Sequence, residues 1–89
     1  MNFRDQPRSR AAAREDALRI SNLALRYSGK VVSASIHDGV VEAYNKHPDP
    51  ILFRQAKTHA RLAALDRDAA RRALRKLHQL VLRETWAVL

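Results

Sequence analysis

Cysteine is absent from the chain, so no disulfide staple or thiolate ligand is available. A secreted, disulfide-bonded scaffold is thereby excluded, and a reducing cytoplasm is the expected setting. Only two glycines and three prolines occur, which leaves few places for β-turns. Aromatic residues are sparse, at 6%. No apolar run approaches the length needed to cross a membrane, and the first seven residues contain no apolar signal core. Acidic residues are also few. Nine of them stand against 17 Lys and Arg, for a formal net charge of +8.

Apolar residues make up 46% of the chain and charged residues 29%, which is a globular composition. Ala, Leu and Arg dominate, and all three favour helices. With 89 residues the chain makes one domain, residues 1–89, with residues 1–8 as a loose basic arm. So short a chain buries a limited core, and pairing into a homodimer is a common remedy.

The positive charge is unevenly spread. Residues 1–14 carry Arg4, Arg8, Arg10 and Arg14 against Asp5 alone. Residues 31–53 carry Lys46 against Asp38, Glu42 and Asp49. Residues 54–83 hold nine basic groups against Asp66 and Asp68. Such a concentration favours an anionic partner: nucleic acid, the acidic face of a protein, or anionic lipid. The last is disfavoured because the other segments look like globular core, so no membrane partner is expected.

The apolar pattern predicts helices. Pro7 and Ser9 suit a helix start, with Ser9 as N-cap. Ala13, Ala17, Ile20, Ala24, Tyr27 and Val31 then recur at spacings of four and three, and Leu18, Leu25 and Val32 widen the stripe. Gly29 is a candidate helix end. Residues 31–45 have two readings. A helix continues the stripe through Val32, Ile36, Val40 and Ala43. A short β-hairpin instead turns at Asp38-Gly39. The helix is preferred, because no other strand is available to pack with a hairpin.

The run His47-Pro48-Asp49-Pro50 is a break, with Asp49 as N-cap and Pro50 as first residue of the next helix. That helix presents Leu52/Phe53, Ala56, Ala60 and Ala63. A turn at Leu65–Asp68 would lead into a last helix with a seam of Ala70, Ala73/Leu74, Leu77 and Leu80/Val81. The expected fold is therefore all-α, a small bundle of three to four helices.

No catalytic arrangement stands out. His37, His47, His59 and His78 fit no zinc spacing. A triad of His37, Asp38 and Ser33 or Ser35 has nothing to orient it. No phosphate-binding loop occurs, and no cofactor is implied. The chain is expected to bind rather than to catalyse.

The last helix concentrates cations. Arg67, Arg71 and Arg75 follow one another at i, i+4, as do Arg72 and Lys76. Like charges at this spacing repel, and only Asp68 to Arg72 compensates. Such a helix suits phosphate, so Arg67, Arg71, Arg72, Arg75 and Lys76 are the candidate nucleic-acid contacts. Within residues 59–77, Ala60 supplies a small residue, Leu65 an apolar one and Asp66 a polar cap, and Ala70 and Ala73/Leu74 follow as inward residues. In these features the stretch resembles the helix-turn-helix motif of bacterial and phage regulators. The resemblance implies double-stranded DNA as ligand. It also implies residues 31–45 as the preceding helix, and Val81–Leu89 as the start of a wing strand. The alternative is a protein-binding adaptor or inhibitor, anchored by Trp86, Phe53, Leu80 and Leu82.

Overall fold

The computed structural model describes the backbone of residues 9–88 and the side chains of residues 9–83. Two helices account for nearly all of it: α1, Arg10–Asn45, of 36 residues, and α2, Pro50–Val88, of 39 residues. They pack side by side and antiparallel, joined at one end by the short link through Lys46–Asp49. The radius of gyration is 19.6 Å, where a compact domain of this length has about 12 Å. The chain is a rod.

The helix boundaries follow the capping chemistry. The Ala12 N–H donates to Ser9 Oγ at 3.1 Å, so Ser9 caps α1 as the sequence indicates. At the link, the Asp49 N–H donates to His47 Nδ1 at 3.1 Å. The Ile51 N–H donates to Asp49 Oδ1 at 2.9 Å, and the Phe53 N–H to the Asp49 carbonyl at 3.1 Å. Asp49 thus caps α2 with Pro50 in the first helical position, where a missing N–H costs nothing. Asp49→Ala removes that acceptor and is expected to destabilise the hairpin by about 1 kcal/mol in a denaturant titration.

The expected bundle of three to four helices is corrected by this architecture. Residues 31–45 form no hairpin; they continue α1 without interruption, and no strand occurs among the described residues. Gly29 does not end α1, because nothing beyond it competes for the backbone and no left-handed residue is present to turn the chain. The β-branched residues Val31, Val32, Ile36, Val40 and Val41 cost a few tenths of a kcal/mol each in a helix. Packing of the half-buried Val40 and Val41 against α2 offsets part of that cost. The expected turn at Leu65–Asp68 is helical too. Neither Gly nor Pro occurs after Pro50, so α2 contains no residue that breaks it. Residues 81–88 are likewise helical rather than a wing strand.

The two helices meet along unbroken heptads. In α1 the inward residues are Asp16, Ile20, Leu23, Tyr27, Lys30, Ala34, His37, Val41 and Tyr44. In α2 they are Leu52, Ala56, His59, Ala63, Asp66, Ala70, Ala73, Leu77 and Leu80. All are buried or half-buried, and both sets step by four and three throughout. That repeat is the signature of a left-handed coiled coil. Apart from Asp16, the buried positions among the described residues are alanines: Ala34 from α1, and Ala56, Ala63, Ala70 and Ala73 from α2. Small side chains at these sites let the backbones approach closely. The α1 stripe read from the sequence was off by part of a turn. Leu18, Leu25, Val32 and Ile36 face outward and Val31 lies half-exposed at a cleft on the flank, and inward positions fall instead on Asp16, Lys30 and His37. In α2, Phe53 and Val81 are exposed as well.

The seam also carries polar layers. At the open end of the hairpin, Arg83 Nη2 lies 2.7 Å from both carboxylate oxygens of Asp16, and Asp16 is only 3% exposed. Midway along, Lys30 Nζ stands 3.6 Å from Asp66 Oδ1, and His37 Nε2 stands 3.9 Å from Asp66 Oδ2. Nearer the link, His37 Nδ1 and His59 Nδ1 share a hydrogen bond of 2.7 Å, which requires one ring to donate and the other to accept. Tyr44 meets His59 edge-on at 6.0 Å between ring centroids. These layers fix register, because a slip of either helix would strand charges in the seam.

The Asp66 carboxyl is held below the ordinary 3.8 by the Ser33 hydroxyl first, and then by the neighbouring Lys30 and His37 charges. A carboxylate depressed on folding adds stability above its unfolded value and loses it as pH falls through the folded value. Asp66 therefore contributes fully at neutral pH, and the contribution fades as pH falls from 3.8 through its lower folded value. Thermal unfolding followed from neutral pH into the acid range should show a smaller acid loss for Asp66→Asn than for the parent chain. Equal acid loss in both would show that Asp66 plays no part in it.

Candidate nucleic-acid interface

The antiparallel pairing gathers cations that lie far apart in the sequence. Along one flank of the rod, Arg19, Arg26 and Lys30 of α1 face Arg72, Lys76 and Arg83 of α2. Two adjoining clefts run between them. One, of 540 Å³, is lined by Arg19, Asn22, Leu23, Lys76, Gln79, Leu80 and Arg83. The next, of 300 Å³, is lined by Leu23, Arg26, Lys30, Ala69, Arg72, Ala73 and Lys76. Leu23 and Lys76 border both, so the clefts form a single groove with an apolar floor and cationic walls.

Four of the six groove cations already have a carboxylate. Arg19 pairs with Glu15 at 2.9 Å, Lys30 with Asp66, Arg83 with Asp16, and Arg72 with Asp68. The Arg19–Glu15 pair is exposed on both sides and is worth little in water. Arg26 and Lys76 have no carboxylate partner among the described residues. They come from opposite helices and face the same cleft. An anion placed there would meet one cation from each wall.

The outer side of α2 is the second basic surface. Arg54, Lys57, Arg61, Arg71 and Arg75 are exposed along it. None of them pairs with a carboxylate among the described residues. Lys57 Nζ lies over the Phe53 ring at 5.8 Å.

The five residues singled out from the sequence are not brought onto one face. Arg72 and Lys76 enter the groove. Arg67 and Arg71 border a cleft on the opposite flank with Tyr27, Ser35 and Asp38, and Arg67 is tied to Asp38 there. Arg75 points outward. Arg19, Arg26, Lys30 and Arg83 were missed, because their place depends on which residues of α1 and α2 face each other. The signal that finds them is the heptad register of the two helices, read together as an antiparallel pair.

The residues of the protein-binding alternative are also dispersed. Phe53 and Leu82 are exposed, but 29 positions along one helix put them about 44 Å apart. Leu80 is half-buried in the seam. The Trp86 side chain, and Arg4 and Arg8 of the N-terminal arm, lie outside the described residues. No group of side chains suited to a metal ion occurs among the described residues, and no helix there is long and apolar enough to cross a membrane.

No protein-family model matches the chain, and neither a characterised protein nor a solved structure resembles it significantly. Residues 59–77, which resemble a helix-turn-helix motif in sequence, run as one uninterrupted stretch of α2.

Proposed function

We propose that this hairpin binds double-stranded DNA through its phosphates, in the manner of a small bacterial or phage regulator. The observation that carries the reading is the groove. Arg26 and Lys76 face it without carboxylate partners, beside Lys30 and Arg72, on a chain of net charge +8. Phosphate contacts of this kind release condensed counterions, so they supply affinity and not sequence preference. Among the described residues, two helices and their four-residue link offer no loop or wing to read base edges. The reading therefore rests on charge and shape, and not on a helix-turn-helix.

The test is fluorescence anisotropy with a labelled random-sequence duplex across a salt series. If Arg26, Lys30, Arg72 and Lys76 each neutralise one phosphate, the slope of log K against log salt is about −3.6. Saturable binding with such a slope supports the proposal. An absence of binding at low salt overturns it and directs attention to an acidic protein surface.

A further inference from the structure

The outward face of α1 is unlike every other surface of the rod. From Leu18 to Gly39 it carries no charged residue, over about 32 Å of helix. Leu18, Leu25, Val32 and Ile36 stand on it at 62%, 72%, 57% and 61% exposure. Ser21, Ser28 and Ser35 recur between them at intervals of seven. Helix α1 is thus apolar on two sides, one against α2 and one facing solvent, which is the pattern of an inner helix.

Both glycines of the chain also lie on this face, at 29 and 39. A glycine inside a helix is less stable than an alanine. Nothing within the hairpin uses them. Neither has positive φ, and a Cβ added at either would meet nothing within 4 Å. Their lack of a side chain becomes useful when another backbone comes close.

We propose that the outward face of α1 binds the same face of a second copy, antiparallel, about a two-fold axis between Ser28 and Gly29. That axis places Leu18 opposite Gly39 of the second copy, Ile36 opposite Ser21, and Leu25 opposite Val32. Large side chains thus meet small ones at both ends, and the two glycine-serine steps cross at the centre. Only this operation is needed to make the face complementary to itself, as an isologous interface requires. Charge selects the same partner. Two chains of +8 repel wherever cations meet, and the groove and the outer side of α2 are both basic. Docked through α1, the copies form a row of four helices with the two α1 helices at its centre, and those basic surfaces stay on the outside, away from each other. An acidic protein would be drawn to the basic surfaces instead of to this uncharged one.

Sedimentation equilibrium measures mass independently of the rod's shape. At about 100 μM, well above a micromolar Kd, the chain should show twice its 10.1 kDa. Leu25→Glu with Val32→Glu should return it to the single-chain mass with helicity unchanged, since both sites are exposed in the hairpin. That double variant lowers the net positive charge, so weaker general repulsion cannot explain dissociation. Gly29→Leu should weaken the dimer about tenfold or more while raising helical content, because a leucine at the crossing holds the helices apart. The register is read by a single introduced thiol. On oxidation Ser28→Cys should cross-link to a second copy, and Thr58→Cys on α2 should not. A single-chain mass for the parent protein overturns the proposal, as does a dimer that survives Leu25→Glu/Val32→Glu or equal cross-linking at both thiols. No nucleic acid enters this experiment, so its failure is separable from failure of the DNA reading.

Discussion

Replacing Ala63 by leucine is expected to lower the melting temperature of the hairpin by about 10–20 °C. Ala63 is 0% exposed, in the middle of the seam. A leucine there adds three carbons at a completely buried position between the two helices. Overpacking of a tight core costs about 1–3 kcal/mol, and a rod with no other core to relax into sits at the upper end. A chain of this length has only about 5–13 kcal/mol in total, and each kcal/mol moves the midpoint by about 4–8 °C. Ala64→Leu is the control. Ala64 is exposed, so the same side chain one residue on should leave the midpoint nearly unchanged. Thermal unfolding by circular dichroism reads both. Equal effects at 63 and 64 would show that the alanine seam does not set the helix spacing.

The second expected result concerns binding. Arg26→Glu with Lys76→Glu should weaken duplex binding by about a hundredfold at moderate salt and reduce the salt slope by about 2. Losing two charge-assisted contacts removes about 3 kcal/mol, and 1.4 kcal/mol is tenfold. Arg71→Ala with Arg75→Ala should do less, because those residues lie outside the groove. Helicity should be unchanged in both, since all four positions are exposed on the hairpin. A larger loss from the Arg71 and Arg75 pair would move the DNA to the outer face of α2. Equal loss from both pairs would spread it over the whole basic surface.

Part of this was legible in the sequence. Ser9, Pro48, Asp49 and Pro50 act through their immediate neighbours, so both helix starts and the break between them could be read directly. The alanines at 56, 63, 70 and 73 also read as a seam. The length of the helices was obscured by local signals that tertiary structure overrides. Asp38-Gly39 is a good hairpin turn in isolation, yet a hairpin there would have had no sheet to join. Asp66 resembles an N-cap after Leu65, yet its carboxylate is turned inward toward Lys30 and His37. Polar residues at inward positions hide the rest. Asp16, Lys30, His37, His59 and Asp66 look like surface residues one by one, and they break the apolar stripe that would have shown the heptads. Each becomes compatible with burial only through its partner on the other helix. The groove was hidden for the same reason. The net charge and its concentration were visible, but Arg26 and Lys76 are neighbours only once the register is known.

The one short link has a consequence for how the rod opens. Tyr44 and His59 are 15 residues apart in the chain, whereas Asp16 and Arg83 are 67 apart. Closing the nearer pair costs less chain entropy than closing the farther one. Folding should therefore nucleate beside the link and zip outward, and opening should begin at the far end. Amide exchange would then form a gradient, slowest in the seam near Ala56 and His59 and faster toward Ile20 and Leu77. The Asp16–Arg83 clamp sits at the end where opening would begin, and it acts as a latch. Cutting it with Arg83→Leu should speed exchange over the last turns of the seam and leave the region around the link unchanged.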